Sequence, residues 1–122
     1  MIGIRGATSI EKNEMEHIKE RSIELYNKIM ENNKIINIIA ILGSVTPDIT
    51  AYNPITAIRE AFNLDKVPLM TFQEAMFEDS KESIIRFLIL CESETQNFVF
   101  LHKAKNLRND LFRWVSNNQL WF

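Results

Sequence analysis

The sequence predicts an α+β domain: a mixed sheet with packed helices. Three observations carry that prediction. Short runs rich in isoleucine recur along the chain, and two segments between them repeat apolar residues at helical spacing. Only three glycines and three prolines interrupt the whole. At 122 residues the chain has the length of one domain, spanning 1–122.

The elements follow in order. Residues 1–8 read as a strand. Residues 11–32 read as a helix, with Ile18, Leu25 and Ile29 on one face and Ile23, Tyr26 and Met30 beside them. Its glutamates alternate with Lys12, Lys19, Arg21 and Lys28, the pattern of a solvated face. Isoleucine-rich residues 35–42 read as a strand, and residues 43–48 as its turn-like exit. Asn53-Pro54 has the form of an N-cap followed by proline at the first helical position, opening a helix over 54–62 that buries Ile55, Ile58 and Phe62. Strands are expected over 67–72, 84–91 and 97–102, giving the order β-α-β-α-β-β-β. A short helix over 110–118 is expected in the tail.

Composition excludes several classes. With 46% hydrophobic and 25% charged residues the chain is neither disordered nor fibrous. Fourteen basic residues against sixteen acidic leave no excess for nucleic acid. The apolar runs at 35–42 and 84–91 fall short of the roughly 20 residues that span a bilayer. The start Met1-Ile2-Gly3-Ile4-Arg5 shows no secretory pattern. Cys91, the one cysteine, excludes an internal disulfide and a cysteine-cluster metal site. The expectation is a cytoplasmic protein without nucleic-acid or membrane partners.

Arginines stand in unusual positions. In Ile84-Ile85-Arg86-Phe87-Leu88-Ile89-Leu90-Cys91 both faces of the strand are apolar apart from Arg86, which shares its face with Ile84, Leu88 and Leu90. A guanidinium keeps its charge, so burial demands an anionic partner: Glu74, Asp48 or a bound anion. Arg5 lies between Gly3 and Gly6, and glycine in a strand marks close approach by a ligand or another backbone. Arg59 projects from the polar side of the second helix. Arg108, in the tail, reads by itself as a surface arginine. Two strand arginines and a helical one point to a small, multiply anionic ligand such as a dicarboxylate.

The usual catalytic signatures are missing. Three scattered glycines cannot form a phosphate loop. His17, with Glu14 and Glu20 at helical spacing, lies on a charged surface, and no metal site is assigned there. His102 reads as a solvated residue. Neither a Ser-His-Asp set nor a Cys-His pair is evident. Any chemistry must rest on positioning and electrostatics, without a covalent nucleophile.

Gly3-Ile4-Arg5-Gly6-Ala7-Thr8, Thr46-Pro47-Asp48, Ala57-Ile58-Arg59-Glu60, Val67-Pro68, Gln73-Glu74, Ile85-Arg86 and Leu107-Arg108 resemble, in order and approximate spacing, the AroH-type chorismate mutases. Residues 112–122 lie outside the match. The resemblance implies a mixed sheet of the chorismate-mutase II/RidA-like kind, closed by three subunits into a trimeric pseudo-α/β barrel with sites in the clefts between them. It implies conversion of chorismate to prephenate, a cofactor-free Claisen rearrangement in phenylalanine and tyrosine biosynthesis. By the same resemblance Arg86 donates to the ether oxygen, Arg5 holds the enolpyruvyl carboxylate and Glu74 accepts from the ring hydroxyl. Arg59 and Arg108 become supporting contacts. The departures fall at Phe100, Thr56, Asn53 and Thr71, where the family commonly has a tyrosine, a lysine, an aromatic and a cysteine. Two alternatives accompany this reading: a trimeric dicarboxylate-binding protein with weak or lost activity, and a RidA-like enzyme.

Overall fold

The computed structural model describes residues 1–107. Its order is β1 (Ile2–Ser9), α1 (Met15–Glu31), β2 (Ile35–Val45), α2 (Pro54–Phe62), β3 (Leu69–Gln73), β4 (Ile84–Ser93) and β5 (Val99–Phe100), followed by a 3-10 helix (His102–Asn106). The strands form one mixed sheet in the order β3-β2-β4-β1-β5. The central β4 runs antiparallel to β1 and β2, whereas β3 and β5 are parallel additions at the two edges. The fold class is therefore the expected α+β with a mixed sheet. The helix expected over 110–118, together with Arg108, lies outside the described residues. Among the described residues no helix is long and apolar enough to cross a membrane.

Both helices pack on one face of the sheet. Gly6, Phe87 and Gly43 lie side by side on β1, β4 and β2. A Cβ added to Gly6 would stand 2.5 Å from the tip of Ile29 on α1, and one added to Gly43 would stand 2.6 Å from Ile55 on α2. The glycines thus admit the two helices on either side of the buried Phe87 ring. Gly6 does mark a close approach, as expected, but the approaching group is a core isoleucine rather than a ligand. Ile18, Leu25, Ile29, Ile58, Ile85 and Ile89 complete a fully buried centre, and Tyr26 and Phe62 bring α1 and α2 together with ring centroids 4.4 Å apart.

Local chemistry moved three boundaries. α1 starts at Met15 rather than residue 11, because the preceding residues make other bonds. Asn13 Oδ1 accepts from the backbone N–H groups of Thr50 and Ala51 at 3.1 and 3.0 Å, and Glu11 binds Arg21 and His17. Arg21 is consequently buried, not part of a solvated face, and donates to the Ser9 carbonyl at 2.7 Å. β2 runs on to Val45, so Gly43 and Ser44 belong to the sheet and not to a turn. β5 is only two residues long, since His102 takes a positive φ of 53° and turns the chain into the 3-10 helix. The capping expectation for α2 holds: Asn53 Oδ1 accepts from Ile55 N at 2.9 Å, with Pro54 in the first turn.

Candidate active site

The face of the sheet turned away from the helices carries the candidate site. Cross-strand register aligns Phe72, Ser44, Arg86, Ala7 and Phe100 in one row from β3 to β5. The next row on that face runs Met70, Leu42, Leu88 and Arg5. Alternation within β4 makes the division plain. Ile85, Phe87, Ile89 and Cys91 are buried beneath the helices, while Arg86, Leu88 and Leu90 are only half-buried. Arg86 is thus spared full desolvation. The face it shares with Leu88 and Leu90 is greasy but open.

A negative partner does lie against it. Arg86 Nε donates to Glu74 Oε1. Glu74 follows the last residue of β3, and its own N–H donates to the Val45 carbonyl at 2.8 Å. Ser44 Oγ donates to the same Oε1 at 3.3 Å. The internal counter-ion leaves Arg86 ample capacity, because Nε supplies only one of the five N–H donors of a guanidinium. Asp48, the other carboxylate expected near Arg86, is instead engaged by the backbone N–H and hydroxyl of Ser83 at 3.0 Å each.

Arg5 stands one row away, its guanidinium carbon 5.8 Å from the centre of the Phe98 ring. Arg5, Arg86, Ser44, Phe72 and Phe100 line one open pocket of about 240 Å³. Phe100 is 1% exposed and packs with Ala7 and Ala104, so the 3-10 helix backs this wall.

The remaining sequence candidates gather elsewhere. Asn53 caps α2, Thr56 and Arg59 belong to it, and Thr71 belongs to β3, where it pairs with Gly43 on the helix-covered face. Thr71 Oγ1 donates to Asn53 Oδ1 at 2.9 Å, joining the two elements. Arg59 forms ion pairs with Asp65 at 3.2 Å and Glu60 at 3.9 Å. None of the four lines the Arg86 pocket. Ser44 carries no signal of its own in the sequence, because its place opposite Arg86 depends on the strand pairing.

No group of three or more His, Cys, Asp or Glu side chains among the described residues is placed to hold a metal ion. His17 pairs with Glu11 at 2.9 Å rather than with Glu14 or Glu20. The Arg21 guanidinium, aided by His17, holds the Glu11 carboxyl below its usual range. His102 bonds Glu24 at 2.7 Å.

Residues 1–111 match the family model of chorismate mutase type I. The chain belongs to the type I chorismate mutases. Among these mutases it is 33% identical over 115 residues to chorismate mutase AroH of Bacillus subtilis, covering 89% of this chain and 91% of that one. It is 34% identical over 116 residues to chorismate mutase AroH of Thermus thermophilus, covering 89% and 94%. A solved chorismate mutase from Clostridium thermocellum superposes with a TM-score of 0.80 at 28% identity, over 86% of this chain and 98% of that one. This type I mutase therefore shares its fold as well as its sequence with the family.

Proposed function

We propose that the protein converts chorismate to prephenate at the open face of its sheet, using Arg86, Glu74 and Arg5. The observation that carries this reading is the half-buried Arg86 on the central strand, paired through Nε and lining a pocket with a second arginine. Chorismate carries two carboxylates, which suits a pocket with two guanidinium groups. The Claisen rearrangement breaks the ether bond as a carbon–carbon bond forms, and negative charge gathers on the ether oxygen. The terminal nitrogens of Arg86 donate to that oxygen, and a fixed cation stabilises the transition state more than the ground state. Arg5 holds the enolpyruvyl carboxylate in the folded geometry the reaction needs. Glu74 accepts from the ring hydroxyl and faces the electron-poor end of the transition state. The residues thus perform the work without a nucleophile or a general base.

The same face supports a site shared between subunits of a homotrimer, arranged as a pseudo-α/β barrel. Phe72 and Met70 are 46% and 57% exposed there, an apolar surface suited to a partner. At about 240 Å³ the pocket falls below the roughly 300–1,000 Å³ common for small-molecule sites, as one wall of a shared cleft would. In this arrangement Arg5, Glu74, Arg86 and Phe100 come from one subunit. Asn53, Thr56, Arg59 and Thr71 come from the neighbour's α2 and β3, and Arg108 covers the bound dianion. A cytoplasmic setting suits the single buried thiol of Cys91.

Incubation with chorismate, following its disappearance and the formation of prephenate, tests the reading. The expected result is catalysed conversion by the purified protein. Chorismate that disappears no faster than in buffer overturns it.

A further inference from the structure

Ser44 has no role in the chemistry so far. It is held rigidly in β2, between the strand that carries Arg86 and the strand that delivers Glu74. Glu74 needs such support. It sits where β3 gives way to a segment without regular structure, and a long glutamate side chain gives up rotamer freedom when fixed. Arg86 reaches Glu74 along a long side chain, whereas a serine hydroxyl one methylene from a strand backbone is a short, stiff tie.

The two side-chain hydrogen bonds to Glu74 land on the same oxygen. Arg86 Nε and Ser44 Oγ both donate to Oε1, and no partner to Oε2 occurs among the described residues. We infer that Ser44 is a positioning residue that fixes the Glu74 carboxylate so that Oε2 is left to the substrate. The inference rests on the mutase reading above. The Ser44–Glu74 distance of 3.3 Å is long for a hydroxyl donor, and such bonds tighten when substrate fills a site. Because Glu74 faces the electron-poor end of the transition state, loosening it weakens transition-state stabilisation more than ground-state binding, so kcat falls further than KM changes.

The test is a set of steady-state measurements with chorismate on the wild type, Ser44→Ala, Ser44→Thr, Glu74→Gln and the double variant Ser44→Ala/Glu74→Gln. Ser44→Ala is expected to lower kcat about three- to tenfold, the scale of one hydrogen bond to a charged group. KM is expected to change less than about twofold, and Ser44→Thr, which keeps the hydroxyl and suits a strand, to restore most of kcat. In the Glu74→Gln background, Ser44→Ala is expected to add little further loss, since the two residues act as one unit. A wild type that converts chorismate no faster than buffer alone overturns the mutase reading and this role with it. An active wild type with an equally active Ser44→Ala overturns the role alone. So does a Ser44→Ala loss that persists undiminished in the Glu74→Gln background, which would mean that Ser44 acts on substrate or on folding directly.

Discussion

Arg86 meets Glu74 through Nε, the guanidinium nitrogen that carries a single hydrogen, so the ion pair orients the terminal nitrogens without consuming them. Half-exposure of the arginine keeps the cost of this arrangement modest. The pair is both a structural link between β3 and β4 and a means of aiming a cation.

Arg86→Ala is accordingly expected to lower kcat by at least about a hundredfold, the scale of a lost oxyanion donor. Initial rates with chorismate, on protein whose circular dichroism matches the wild type, measure the loss. Near-normal turnover would refute the assigned role. Arg86→Lys keeps the charge but cannot serve Glu74 and substrate with one planar fork, and it should recover little of the rate.

Phe100→Tyr adds a hydroxyl where the ring reaches the pocket. One new hydrogen bond to a substrate carboxylate should lower KM about three- to tenfold, with kcat little altered. Unchanged KM accompanied by a lower melting temperature would mean that the ring edge points into the Ala7–Ala104 cluster instead.

A shared cleft makes a quantitative prediction for mixtures. Arg86→Ala and Arg59→Ala subunits, unfolded together in equal amounts and refolded, should assemble hybrid trimers. About one quarter of their clefts would then combine an intact Arg86 with an intact neighbouring Arg59. Assayed well below saturation, the mixture should exceed the sum of the two variants refolded separately. Equality with that sum would place Arg59 outside the neighbour's site.

Asp48 should govern part of the acid response. Burial pushes its carboxyl pKa up, but hydrogen bonds from Thr46 and Ser83 outweigh that and hold it below the usual range. A depressed folded value gives stability that is full above the unfolded pKa and is lost as pH falls through the folded one. Asp48→Asn should therefore unfold at lower urea than the wild type near neutral pH, and the gap should close below the ordinary carboxylate range. A gap that persists at about pH 2 would assign the loss to packing.

Much of this was legible in the sequence. The Asn53-Pro54 start of α2, the apolar run of β4 and the demand of Arg86 for a carboxylate all follow from local chemistry. What escaped depends on pairing across distance. Arg21 reads as one charge among many on α1 until its partners, Glu11 and the Ser9 carbonyl, are seen folded back against it. Gly43-Ser44 resembles a turn because the same residue types favour turns, yet β4 and β3 hold it flat on both sides. The division of candidates into two groups, one around Arg86 and one around Asn53 and Arg59, is a property of the sheet's two sides that spacing along the chain does not reveal.

The alternation along β4 from Ile85 to Cys91 also constrains how this segment can change. Deleting or inserting one residue between Ile84 and Arg86 would slide the rest of the strand by half a pleat period, sending the guanidinium into the helix layer and Phe87 out toward solvent. A length change there disturbs core and cleft at once unless a bulge absorbs it, as the two irregularities where β2 pairs with β4 do. Exchanging one side chain for another within β4 disturbs the sheet far less than changing its count, and the irregular stretch beyond Glu74 is under no comparable arithmetic.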